Sequence, residues 1–415
     1  MTIGHTYRFS HEMDNFGFGW ETGRIARSLA AGQGFANPMH GITGPTAWVA
    51  PLYPFLLAAI FKLFGTYTLL SSWIDLAINS VFSAWNAVVL YRIADRLFSR
   101  SAAVWSAWIW AAFPYCWYWA IHWQWETALA TLLLSMDFLL VLQIAGIDRL
   151  GRDERRTTRM LWIGFGVANG LIALTNPSLL LWLPFAGVYA LVSNARRDGI
   201  APAVASATLA GVIFLALLAP WVWRNHHVFG KLIPVRGNFW VEFHLGNTHA
   251  TDGLWAWWMH PSHSRPELAL YGQLGEVQYV ARAKALAMHD IKTDPAHFRH
   301  AILDRILYFW YDTPVIDRKL PRFSLVRNDL FFLSSELAFL GCGLMIWRRH
   351  RGAFLFTSLL LSIPLIYYLT FPHPRYRAPL EPEMVVLSVY LFQSAERKHE
   401  SSAGKDAEVF DPQPA

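Results

Sequence analysis

Apolar stretches long enough to cross a bilayer recur along this chain, and each is separated from the next by a short charged or aromatic loop. Crossing about 30 Å of hydrocarbon takes roughly 17 to 25 residues. Residues 69–90, 101–120, 126–146, 201–223, 330–347 and 353–370 meet that length or approach it. Shorter apolar runs at 160–174, 178–192 and 378–392 need tilt or local thinning. The pair on either side of Asn176-Pro177 also reads as a re-entrant hairpin, and both readings keep the same parity. Only 15% of the 415 residues are charged and 54% are hydrophobic, whereas soluble domains carry about a quarter charged residues. The sequence therefore predicts an all-α, polytopic membrane protein with about nine membrane segments and an outer helical cap.

Orientation follows from the arginines, because short loops rich in Lys and Arg stay in the cytoplasm. The basic groups are Arg92, Arg96 and Arg100; Arg149, Arg152, Arg155, Arg156 and Arg159; Arg196 and Arg197; Arg348, Arg349 and Arg351; and Arg397 with Lys398. They fall at every second loop. That alternation divides the chain into an outer segment 1–68, membrane helices 69–223, an outer helical cap 224–327, membrane helices 328–394 and a polar tail 395–415, expected to be disordered in the cytoplasm. The run at 51–65 reaches only about 22 Å as a helix and contains Pro54 and Lys62, so it is expected to lie on the outer leaflet. In the cap, Leu270, Leu274, Val277 and Val280, then Ile302, Ile306 and Phe309, have helical spacing. The net charge of +6 is accounted for by these loops, and no nucleic-acid partner is expected.

Some chemistries are disfavoured. Cys116 and Cys342 lie on different apolar segments and make neither a disulfide framework nor a zinc spacing. His260 and His263 sit three apart in a loop broken by proline, without helical register or a carboxylate at ligand spacing, which argues against zinc. Asp75 and Asp137 fall inside expected spans, where they pair with polar neighbours such as Asn79. No phosphate-binding glycine loop, nucleophile elbow or internal repeat is present.

Three outer features remain. An amphipathic helix over 18–35 carries Glu21 in its first turn and Arg24 three residues on, an arrangement that by itself need mean only a favourable charge at a helix start. A tight turn at 117–134 brings His122, Trp123 and Trp125 against Glu126 at the head of a membrane helix. A cap is the bland reading of that carboxylate, but ionisable groups at membrane depth are more often functional. The segment FPHPRYRAPLEPE places Arg375, Tyr376 and Arg377 on the side that short loops keep free of positive charge. Lipid phosphate would compensate them, and Arg presents a planar fork suited to phosphate oxygens. Ordinary headgroup contact is the alternative.

Taken in order, GWETGRIARSLAAGQGF, GPTAWVAPLYPFLLAAIFKLFG, the outer turn with its carboxylate, PWVWRNHHVFGKLIPVRGNFWVEFHLGN and HPRYRAPLEPE resemble the bacterial GT-C glycosyltransferases. These are relatives of protein O-mannosyltransferases and of the lipid A aminoarabinose transferase. The resemblance runs from Phe18 to Glu383. It implies a sugar donor on a polyprenyl phosphate, and a lipid, glycan or protein acceptor at the outer face of an inner (plasma) membrane. It also implies a catalytic carboxylate in the first outer loop. Relatives carry an Asp-Glu pair at the start of that helix, whereas the matching positions here are near Phe18 and Gly19. Glu21 is the nearest acidic group, with Asp14 and Glu12 as alternatives. Glu126 resembles the second outer-loop carboxylate. Arg224, Asn225, Arg236, Asn238, Glu242, Gly246 and Asn247 resemble a recurring family segment, of which Arg224, Arg236, Asn238 and Glu242 are expected to bind substrate, as are Arg24, His122, Arg375, Tyr376 and Arg377.

A lipid phosphate is already a good leaving group, so one base and several cations suffice. The expected mechanism is inverting single displacement, with Glu21 as base, Glu126 orienting acceptor or sugar, and Arg375 with Arg377 on the phosphate. No cofactor is certain, and a divalent cation beside these carboxylates stays open. The competing class is a transporter or lipid flippase, which would show internal repeats and helices broken at midplane. A noncatalytic envelope assembly protein is a third reading. Relatives begin with a membrane helix ahead of the first outer loop, and one is expected upstream of Met1, lost through a misplaced start codon.

Overall fold

The computed structural model describes residues 18, 20–112, 118–121, 123–151, 158–312 and 321–408, with side chains omitted at 321–327 and 396–408. Among the described residues the chain is helical, and one isolated bridge, Ala36 to Pro45, replaces any strand. The elements are α1 (Glu21–Ala30), α2 (Leu52–Phe64), α3 (Leu69–Leu97), α4 (Arg100–Ala112), α5 (Thr127–Ile144), α6 (Thr158–Thr175), α7 (Leu183–Asp198) and α8 (Ile200–Phe229). They continue with α9 (Phe239–Asn247), α10 (Arg265–Thr293), α11 (Pro295–Tyr311), α12 (Pro321–Trp347), α13 (Ala353–Ser362), α14 (Leu365–Leu369), α15 (Pro374–Arg377) and α16 (Glu381–Glu408).

Among the described residues five helical stretches are long and apolar enough to cross a membrane: α3, α5, Pro177–Asp198 (a short 3-10 turn running into α7), α8 and Asn328–Trp347 within α12. The chain is a multi-pass membrane protein. The remaining expected segments correspond to α4, α6, α13 with α14, and α16, which pack among these. Pro177–Asp198 is 22 residues long, enough to cross unaided. At 13 residues α2 is too short to span, and Gly65, at φ 91°, ends it where a β-carbon would be strained. Thr68 then caps α3 by accepting from Ser71 N–H at 3.1 Å. The final helix runs into the polar tail as far as Glu408. Composition alone predicts a structureless tail, but its Ala, Glu and Lys residues are good helix formers that extend an existing helix at little cost.

The two aspartates expected inside the bundle have polar partners. The Tyr53 hydroxyl contacts both Asp75 carboxylate oxygens at 3.0 Å and accepts from Asn79 Nδ2 at 2.7 Å. Asn169 Nδ2 donates to Asp137 at 2.9 Å.

The basic loops gather at one end. Arg149 pairs with Asp95 at 2.6 Å, Arg197 reaches Thr158 at 3.0 Å, and His350 Nε2 lies 3.2 Å from the Leu97 carbonyl. Ser99 donates to Gln393 at 2.9 Å. α5 separates this end from the Glu126 end by its own 18 residues, about 27 Å.

At the Glu126 end, α9 to α11 form the expected helical cap, clasped to the first loop. Met39 and Trp48 share a core with Val241, Leu245, Ala256, Tyr271 and Tyr279. Glu276 accepts from Ala47 N–H at 2.7 Å, from Tyr271 at 2.9 Å and from the Thr46 hydroxyl. Arg305 holds the other side. Its guanidinium donates to the carbonyls of Gly253, Tyr368, Leu369 and Gly246 and to Asn247 Oδ1, so one buried cation joins α9, α11 and α14.

Candidate active site

The chain enters α1 through Trp20, at φ 56°, and turns so tightly that a β-carbon on Gly23 would meet the Phe18 carbonyl. That turn sets Glu21 in the first helical turn, facing the loop at 260–264. Ser262 Oγ donates to Glu21 Oε1 at 2.7 Å and accepts from Arg24 Nη1 at 3.1 Å. Arg24 is itself fixed by the Pro38 carbonyl at 3.2 Å and by His40 at 2.9 Å. His260 Nδ1 lies 3.9 Å from Glu21, but it accepts the Ser262 N–H at 3.1 Å, which leaves the ring proton on Nε2. Burial pushes the His260 imidazole down to about 4, so the ring is neutral at pH 7. Burial alone would raise Glu21, yet His260, the Arg24 guanidinium and the Ser262 hydroxyl together hold its carboxyl below the ordinary value. Arg24 is the charged member of that trio at neutral pH, and Glu21 is an ionised carboxylate.

Glu242 occupies the first turn of α9. Asn238 Nδ2 donates to its Oε1 at 3.1 Å. Burial and then the negative charge of Glu21 push its carboxyl up to about 7, against the opposing pull of Arg236 and Arg375. One carboxylate is thus kept ionised and its neighbour is driven towards the protonated form. Environments that split a carboxyl pair in this way are a feature of acid–base sites. Arg236 is steadied by Ser178 at 3.0 Å.

Arg375 comes from α15. Its guanidinium lies 4.0 Å from the Trp125 ring centroid and 5.2 Å from that of Tyr376. Burial would lower it, but the Glu126 carboxylate, and then the adjacent Tyr376 side chain, hold it above its ordinary value. Trp125 stacks on Trp123 at 4.6 Å, and Tyr376 on Tyr367 at 4.5 Å. Glu126 immediately precedes α5 and makes no side-chain capping bond. Glu21, Arg24, Glu126, Arg236, Asn238, Glu242, Arg375 and Tyr376 are therefore brought to one end of the bundle, linked by contact or by electrostatic influence.

Two expected members sit elsewhere. Arg377 is fully buried and pairs with Glu381 at 2.5 Å; it also donates to the Trp310 and Phe331 carbonyls and to Ser334 and Ser335. Arg224 donates to the carbonyls of Thr46 at 2.7 Å and Phe35 at 2.8 Å and lies 5.0 Å from the Trp221 centroid, tying the first loop to α8. Gly246 and Asn247 serve packing, since Asn247 bridges the Phe243 and Leu369 carbonyls. His122, Glu12, Asp14 and Cys116 lie outside the described residues. Ser262 was not singled out in the sequence, although the HPSH loop that carries it stands out for its histidines. Among the described residues no group of three His, Cys, Asp or Glu side chains is placed to hold a metal.

No protein-family profile matches the chain, and no curated protein matches it. Solved structures do. The oligosaccharyltransferase AglB from Archaeoglobus fulgidus, in complex with an inhibitory peptide and a dolichol-phosphate, aligns over 95% of this chain and 48% of its own length, with a TM-score of 0.53 and 13% identity. An Archaeoglobus fulgidus oligosaccharyltransferase in complex with Zn and sulfate aligns over 94% and 46%, with a TM-score of 0.52 and 13% identity. ArnT from Cupriavidus metallidurans bound to undecaprenyl phosphate covers 94% of this chain and 76% of its own at 14% identity, with a TM-score of 0.41. The chain spans about half the length of the oligosaccharyltransferases it matches. It is a polytopic helical membrane protein with the GT-C fold of those glycosyltransferases.

Proposed function

We propose that this chain is an integral-membrane glycosyltransferase that moves a sugar from a polyprenyl-phosphate carrier to an envelope lipid, glycan or protein acceptor. The observation that carries the reading is the Glu21 carboxylate, held ionised by Ser262 and Arg24 in the same electrostatic field as Arg236 and Arg375. A base and phosphate-directed cations are what displacement of a lipid phosphate requires. The archaeal oligosaccharyltransferase of like fold, solved with a dolichol-phosphate, supports a carrier of the same kind.

In this mechanism the acceptor hydroxyl attacks the anomeric carbon as the bond from that carbon to the phosphate oxygen breaks. The hydroxyl proton passes to Glu21, and the bonding pair leaves with the carrier phosphate, which Arg375 and Arg236 neutralise. Inversion follows from the single displacement. Glu126 keeps Arg375 charged and oriented. Arg377, already engaged with Glu381 and backbone carbonyls, anchors the segment from which Arg375 projects. The basic loops are assigned to the cytoplasm, which puts the reaction on the opposite face. Each of these roles is filled by a side chain of the protein itself.

Glu21→Gln keeps the shape and removes the base. Transfer from a polyprenyl-phosphate sugar should fall about 10²- to 10⁴-fold in a protein that still folds in the membrane. Near-normal turnover would remove Glu21 as the base.

A further inference from the structure

Asn238 stands at the N-cap position of α9, where asparagine is among the best capping residues, yet its side chain makes no capping bond. Its Nδ2 donates instead to Glu242 Oε1, one turn on. With Glu242 ionised, that bond fixes the amide, because the flipped orientation would set two oxygens against each other. Asn238 is only 6% exposed. Its Oδ1 is buried without a partner, and so is Glu242 Oε2. Buried polar atoms left unmet are costly and rare, and each calls for a ligand or water. Both oxygens sit on one helical turn, and Glu242 is influenced by Glu21, Arg236 and Arg375, the groups assigned to the reaction. Tyr376 is influenced by Glu242 in turn, and its stack with Tyr367 adds flat apolar surface nearby.

We infer that Asn238 Oδ1 and Glu242 Oε2 form the subsite for hydroxyl groups of the transferred sugar, and that this sugar is neutral and polyhydroxylated. The inference rests on the carrier-dependent glycosyltransferase reading. A hydroxyl donates to an amide oxygen and can either donate to or accept from a carboxyl, so it suits both atoms in either protonation state. An ammonium group only donates and would demand an ionised Glu242, which burial and Glu21 oppose.

The test is binding by the detergent-solubilised full chain of undecaprenyl phosphate, of its gluco-, manno- and galacto-configured hexosyl derivatives, and of a 2-amino-2-deoxyhexosyl derivative. At least one neutral glycosyl carrier, a pentosyl derivative included in the series, should bind about tenfold tighter than the bare carrier, the gain from one or two new hydrogen bonds. Asn238→Ala and Glu242→Ala should each erase most of that increment, measured against the same variant's own affinity for the bare carrier. Arg375→Ala should weaken bare and sugar-bearing carriers alike. Binding of the bare carrier with no gain from any sugar, or a gain that survives in a folded form of either variant, overturns the subsite and leaves the carrier reading standing. A gain confined to the amino sugar overturns the neutral assignment. Failure to bind any carrier removes the glycosyltransferase reading, and the subsite with it.

Discussion

The Ser262 hydroxyl donates to the Glu21 carboxylate at 2.7 Å although 241 residues separate the two in the chain. This bond is one of the interactions that lower Glu21. Ser262→Ala should therefore raise the Glu21 carboxyl and move the acid limb of the kcat/KM profile to higher pH, with only a few-fold loss at neutral pH. Ser262→Thr, which keeps the hydroxyl, should restore the limb. An unmoved limb in Ser262→Ala would show that another group titrates there.

Glu242 predicts a stability effect of definite sign. Its folded value, about 7, lies above the ordinary 4.5. Its contribution is therefore fully present at acid pH and is lost as pH rises from about 4.5 to 7. Glu21 is lowered, and its own contribution is lost only as pH falls below the ordinary carboxylate range. In detergent melts, wild type minus Glu242→Gln should show a decline confined to the window between 4.5 and 7. A flat difference would place Glu242 in water rather than beside Glu21.

Arg375 and Arg377 are two residues apart and should fail in different assays. Arg377→Ala strands Glu381 and several buried carbonyls, so loss on the order of 3–5 kcal/mol is expected, seen as poor expression and a depressed melting temperature. Arg375→Ala should melt like wild type while donor use falls. Equal melting of both variants would contradict the separation.

Gly246 packs so closely that a β-carbon would overlap the Thr370 carbonyl. Gly246→Ala should loosen the junction that Arg305 also holds, exposing the cap to proteolysis at lower temperature than wild type. Protease resistance equal to wild type would mean that the contact relaxes freely.

Sidedness is tested by labelling. With Cys116 and Cys342 replaced, Gly34→Cys and Ser264→Cys should react with an impermeant thiol reagent in intact cells, and Leu150→Cys only after lysis. The reverse pattern would invert the membrane orientation.

Apolar run length by itself determined the helical membrane architecture, because that signal is local and the bilayer enforces it on every segment. Glu21, Glu126 and Arg375 stood out by their places in the outer segments, and Arg236 and Glu242 entered as candidates through the family resemblance. Tertiary structure decided which of these share a space and in what state. Nothing in HPSH announces that its serine serves a carboxylate 241 residues away, and nothing in PRYRAP says that one arginine meets Trp125 while the next is buried against Glu381. Nor could spacing show that Arg305 and Glu276 clasp the cap to the loops. A pairing between distant segments depends on how helices cross and on which buried donors lack partners, and both are settled only when the chain has packed.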